Sequence, residues 1–285
     1  MTRDSGDLVR AFIDSVATSF VQTAGRRLES DRLPPDDHRP WPIPREPWVM
    51  AQSWDDLVFA HWPVDSGRLR ALVPARLELD TFDGAAWLGI TPFRVRGLRL
   101  HGLPAVPGLS DFNEINVRTY VTLDDKPGVF FFSLDANTML GVQGARTWYR
   151  LPYFFAASAL VEEGDRFEFT STRAHSGAGP AAFRAVYRPS GPVEYARRRT
   201  LEWWLTERYC LYAVDGGGRV DRAEIHHAPW PLQAAEIEIG ENTMAEPLGL
   251  VLPEPPALVH YARTIDVSIW RPRPARRRRA RSRAA

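Results

Sequence analysis

Glu114, Asn116, Arg118 and Tyr120 recur at every second position of one short stretch. A β-strand carries every second side chain on the same face. Asp135, Arg146, Tyr149 and Tyr153 follow downstream. Glu114 can act as general acid or base, the arginines can grip an anion through paired hydrogen bonds, and the phenols can orient oxygen atoms. Such a set suits a small carboxylate or oxygen-rich molecule, with Glu114 as the catalytic group if a reaction occurs. The blander alternative is a self-neutralising ladder in which Glu114, Arg118 and Asp135 share a solvated face.

The elements that position these groups can be read from the same region. Along residues 114–121, Ile115, Val117 and Val121 share the face opposite Glu114. Lys126-Pro127-Gly128 fits a type II turn, with proline at the first corner and glycine at the positive-φ second. Closing that turn with Lys126 and Val129 sets Tyr120 against Asp135 and Val121 against Leu134, so polar meets polar and apolar meets apolar. Asn137 is placed to cap a helix over 138–149, which carries Arg146 and Tyr149. Pro152 disfavours helix at Leu151, and an apolar run from Tyr153 begins a new strand. The expectation is that Glu114, Arg118, Arg146 and Tyr153 converge on one enclosed site. Buried charges need partners, so Glu114 should touch an arginine in the empty protein.

Elsewhere, Val9, Phe12, Ile13, Val16 and Phe20 recur at helical spacing, and residues 1–33 read as an amphipathic helix. Residues 34–47 hold six prolines and read as a linker. Residues 48–270 alternate short strands with turn signals such as Asp83-Gly84 and 215–218. The class is mostly β (α+β): an antiparallel, closed or nearly closed β-barrel, or a sandwich, with a few short helices. Residues 271–285 are an arginine-rich tail, with eight arginines in 271–283. Without those eight, 28 basic residues face 35 acidic ones, so the body is acidic and the tail basic. Such a tail could touch nucleic acid or anionic lipid, although arginine usage is high throughout the chain.

Composition also excludes some classes. No apolar stretch approaches the roughly 18 residues that span a membrane. One cysteine, Cys210, precludes an internal disulfide and fits a reducing compartment, so a cytoplasmic location is expected. Arg10 and Asp14 interrupt the apolar N-terminal stretch, and no signal peptide is expected. His226 and His227 are neighbours on a strand and point to opposite faces, so no metal site is expected there. The glycine run 216–218 lies between two strands and reads as a hairpin loop, not a phosphate cradle. No cofactor is expected.

Five ordered motifs resemble a known family: FNEINVRTYV at 112–121, GVFFFSLDA at 128–136, AR…YRLPY at 145–153, LTERY at 205–209 and HAPWPL at 227–232. They are similar to signatures of the YqjF-like uncharacterised proteins, over about residues 40–272. The resemblance implies a barrel similar to acetoacetate decarboxylase and no established activity. Enzymes of that class use a Schiff-base lysine, with a glutamate and an arginine that Glu114 and Arg146 would match. The lysine would fall near Tyr153 or Phe154, and neither bears an amine. Lys126 is the chain's single lysine and sits in the expected turn. Schiff-base chemistry is therefore not expected. Two readings remain: non-covalent binding of a small ligand, or a lyase- or hydrolase-type enzyme using Glu114 with Arg118 or Arg146 as an anion clamp.

Overall fold

The computed structural model describes residues 33–275, apart from residues 107, 140, 141, 143–145, 147 and 148. The expected helix within 1–33 and the tail beyond Ala275 lie outside the described residues. Chain order runs β1 (Met50–Val64), α1 (Ser66–Leu72), β2 (Glu78–Leu79), β3 (Ala86–Leu100), β4 (Phe112–Leu123) and β5 (Lys126–Ala136). It continues with β6 (Tyr153–Glu163), β7 (Arg166–Arg173), β8 (Ala182–Pro189), β9 (Glu194–Tyr195) and α2 (Leu201–Thr206). Last come β10 (Cys210–Val214), β11 (Val220–His226), β12 (Pro231–Asn242), β13 (Leu258–Ile269) and β14 (Arg273–Pro274).

The strands close two circuits that share a wall. One is a nine-strand ring of β1, β3, β4, β5, β6, β7, β8, β12 and β13. The other returns from β5 through β10 and β11 to β13. Of the shared strands, β1, β3 and β4 are buried on both faces through their central residues, and their alternate residues feed different cores. In β1, Val58, Ala60 and Trp62 join Phe167, Phe169, Tyr187 and Tyr261. Leu57 and Phe59 join Phe93, Leu134, Leu211 and Trp230. Burial on both sides explains the unbroken apolar run 57–60.

The barrel is mixed, which corrects the expected antiparallel label: β5 pairs in parallel with both β6 and β10. Parallel neighbours need a crossover, and residues 137–152 supply it for β5 and β6. Met139, Val142 and Arg146 are helical there, as expected of that stretch.

The central hairpin turns elsewhere than its proline and glycine indicate. Leu123 pairs with Lys126 and Tyr120 with Val129, so the turn is Asp124-Asp125, with φ of 54° and 63°. Positive φ at both corners matches the twist of a two-residue hairpin, and aspartate tolerates it better than most residues. Pro127 and Gly128 lie within the strand instead. A Cβ on Gly128 would meet Cys210 Sγ at 2.7 Å and its carbonyl oxygen at 2.8 Å, so glycine here admits β10. A bulge between the pairs Val117–Ser133 and Arg118–Phe131 then shifts the pairing by one residue. Asp135 consequently pairs with Ile115, on the face away from Glu114.

Both ends of the barrel extend beyond 48–270. Residues 34–47 are irregular, as their prolines require, yet they are docked: Trp41 donates its indole N–H to Glu224 at 2.6 Å and Arg39 is buried against the Ile225 carbonyl. Arg273–Pro274 pairs with β11 and Ala275 is buried, so the fold continues into the stretch read as tail.

Candidate functional site

The second circuit encloses a cavity of about 410 Å³, walled by β1, β3, β4 and β5 and by the connection after β3. Most of its lining is apolar, including Trp54, Leu57, Phe93, Phe131 and Leu134. Glu114, Asn116 and Arg118 enter from β4, because the alternation of that strand sends Ile115 and Val117 into the other core. Thr91, Tyr149 and Tyr153 lie with them, and Gln52, Arg99, Ser110 and Thr138 are the other polar residues of the lining.

Arg118 is buried at 8% exposure, and its guanidinium carbon lies 4.9 Å from the centre of the Phe59 ring. No carboxylate lies within ion-pair reach of it among the described residues, and its Nε has no hydrogen-bond partner. Its cross-strand neighbour is Gly89, where a Cβ would stand 3.2 Å from the His61 ring and 3.4 Å from Arg118 Cγ. Gly89 thus makes room for both groups. Burial, reinforced by the charge of Arg118, pushes the His61 imidazole well below its usual pKa and keeps it neutral. His61 Nε2 lies 2.6 Å from the Tyr120 hydroxyl. Tyr120 therefore sits beneath the cavity floor, packed with Trp87, Trp204 and Leu205.

Glu114 accepts a hydrogen bond from the Tyr153 hydroxyl at 2.9 Å. Burial pushes its carboxyl up to about 7, against the opposing pull of hydrogen bonds from Tyr153 and Asn116. Burial and the neighbouring Glu114 hold the Tyr153 phenol well above its usual range. Burial likewise pushes the Tyr149 phenol up to about 12. Among the described residues Glu114 touches no arginine, contrary to expectation: a carboxyl raised to about 7 has less need of a cationic partner, and it accepts a hydrogen bond from the Tyr153 phenol instead.

Besides Tyr120, two expected site residues lie off the cavity. Asp135, turned away by the bulge, takes Arg173 Nε at 2.6 Å and Nη2 at 2.7 Å in a buried two-pronged ion pair. Arg146 is exposed, donates to the Tyr153 carbonyl at 3.1 Å and lies 2.7 Å from His175 Nε2. Tyr153 thus turns its backbone toward Arg146 and its side chain into the cavity. Glu114, Asn116, Arg118, Tyr149 and Tyr153 come together on the cavity; Tyr120 meets Arg118 without lining it, and Asp135 and Arg146 do not join them. Sequence reasoning passed over Gly89, His61 and Thr91. A lone glycine inside an apolar strand was the available signal, since it marks a close approach.

Lys126 lies far from the cavity by topology, at the hairpin end of β5, 3.4 Å from Glu224 and 4.8 Å from the Trp41 ring centre. His226 and His227 are both buried and burial pushes both imidazoles down to about 4. Each is engaged by backbone carbonyls, and no metal-binding cluster occurs among the described residues.

Two closed circuits sharing a wall give a barrel whose fold is similar to that of acetoacetate decarboxylase. The acetoacetate decarboxylase of Legionella pneumophila has a TM-score of 0.57 to this chain at 15% identity, covering 85% of this chain and 94% of that one. The enduracididine biosynthesis enzyme MppR, solved in complex with pyruvate, has a TM-score of 0.55 at 12% identity, covering 81% and 91%. At such identities the likeness is one of fold. Residues 51–266 match DUF2071, described as an uncharacterized conserved protein, and the chain belongs to that family. The uncharacterized protein YqjF of Bacillus subtilis (strain 168) is 47% identical over 228 residues, which cover 80% of this chain and 93% of that protein.

Proposed function

We propose that the cavity binds a small carboxylate non-covalently. The observation that carries this reading is Arg118, a buried cation facing an apolar cavity with no acidic partner among the described residues. A buried unpaired charge costs several kcal/mol, and an incoming carboxylate offsets that cost through paired hydrogen bonds. Thr91, whose buried hydroxyl has no hydrogen-bond partner, is at hand as a donor for its second oxygen. Below about pH 7 Glu114 is neutral and adds a donor instead of a competing charge. MppR, of similar fold, has been solved with pyruvate, a carboxylate, bound. A Schiff base finds no support, since Lys126 is engaged with Glu224 outside the cavity.

The test is isothermal titration of a carboxylate panel into the full chain and into Arg118→Met and Arg118→Lys. Binding by the wild type, lost in the methionine variant and weakened in the lysine variant, supports the reading. A folded wild type that binds no member of the panel, or an undiminished methionine variant, overturns it.

A second reading, acid–base catalysis, is favoured by Glu114 itself. A carboxyl that titrates near neutrality beside a phenol, in a largely closed cavity, is suited to moving a proton on a bound ligand. Exchange of ligand C–H protons into D2O, abolished in Glu114→Gln, is the outcome expected of that role.

A further inference from the structure

We infer that the ligand is an amphiphile: a monocarboxylate with one long apolar chain, its head at Arg118 and its tail running toward the connection between β3 and β4. This rests on the carboxylate reading above and goes beyond it, because the argument comes from the opposite end of the cavity. Glu114, Asn116, Arg118 and Thr91 gather at one side of the space; the polar residues elsewhere in the lining include Gln52, Ser110, which is bonded to the backbone of Leu98 and Val106, and Arg99, which lies over the Trp48 ring. Beyond Glu114 the lining turns apolar, with Met50, Leu98, Leu100, Leu103, Val106 and Leu109. Water there would find few hydrogen-bond partners, so the space favours an apolar occupant.

The cavity also has a direction. Arg118 and Asn116 are buried, Phe112 is half-buried, and Leu100 and Leu109 reach 38% and 37% exposure. The polar end is the deep end and the apolar end is the mouth. The six residue steps of strand from Phe112 to Arg118 span about 20 Å, at ~3.3 Å per step. A two- or three-carbon acid at Arg118 would leave the outer cavity unfilled. A ligand with polar groups along its length would strip them of water against leucine and phenylalanine walls. One head and one apolar chain satisfy both ends at once.

The experiment titrates the delipidated full chain with straight-chain carboxylates from acetate to dodecanoate, with decan-1-ol as the uncharged control. Affinity should rise about fourfold per added methylene, until the mouth is reached. Decanol should bind at least tenfold more weakly than decanoate. Leu100→Ser/Leu109→Ser should flatten the dependence for the longer acids and leave that for the shorter acids intact. Acetate, pyruvate or citrate binding as tightly as decanoate would overturn the amphiphile and leave the carboxylate reading standing. Decanol matching decanoate would overturn the charged head. Binding by no acid of any length would remove both readings together.

Discussion

Replacing Glu114 by glutamine removes a titrating group and keeps an acceptor for the Tyr153 hydroxyl. In the folded chain this carboxyl holds its proton up to about pH 7, against a usual value of 4.5. The unfolded chain, with the usual value, releases it near pH 4.5. The wild type therefore loses stability as the pH rises from 4.5 through 7, whereas Glu114→Gln does not. At ~1.4 kcal/mol for each tenfold change in proton affinity, the loss comes to about 3 kcal/mol. With an unfolding entropy of ~2 cal/mol/K per residue over roughly 240 residues, that is about 6 °C in melting temperature. His226 and His227 act in the opposite sense as the pH falls from 6.5 toward 4, because the folded chain keeps them neutral. They are common to both proteins and cancel in the difference. Thermal melts of the pair at pH 5, 6, 7 and 8 are the assay. The variant should gain on the wild type by about 6 °C across that series. A constant gap would show that Glu114 does not titrate in this window, and a shrinking gap would show a carboxylate stabilised by an unseen cation.

Other outcomes follow from the same geometry. Arg173→Met strands the buried Asp135 and should cost about 3–5 kcal/mol, whereas Arg146→Ala, at an exposed position, should change stability by less than ~0.5 kcal/mol and carboxylate affinity by less than about twofold. Chemical denaturation and titration check both, and a large loss of affinity in Arg146→Ala would return that residue to the site. Gly128→Ala should destabilise by roughly 1–3 kcal/mol, because its Cβ would press on Cys210 and Tyr212; a neutral result would contradict the close approach of β10. Incubation with pyruvate or acetoacetate and borohydride should leave the intact mass unchanged, and an adduct that disappears in Lys126→Ala would revive imine chemistry.

The wall of the site was legible where alternation alone decides. Glu114, Asn116 and Arg118 share a face because a strand of period two leaves no other arrangement, and Pro152 correctly delivers Tyr153 to the start of β6. Legibility failed where one residue changes the parity. Pro127-Gly128 is the stronger turn signal, yet Asp124-Asp125 turns the chain. The glycine was needed for interstrand contact, a long-range demand that local pattern does not carry. The bulge at the middle of the hairpin then moved Asp135 to the other core, where Arg173 awaited it. Arg146 failed differently: helical spacing fixes where its backbone lies, but its side chain is held outside the cavity by the Tyr153 carbonyl and His175. The parallel pairings of β5 were equally hidden, since a strand's own residues do not state the direction of its neighbours.

In a structure of the chain with 10-bromodecanoate, the bromine locates the tail independently of the head. The carboxylate should lie within hydrogen-bond distance of the Arg118 guanidinium, with no bond to Lys126 and the bromine among Leu98, Leu103 and Leu109. A ligand lying in the outer groove beside Arg146, or one seated with its carboxylate at the mouth and its tail against Arg118, would contradict it.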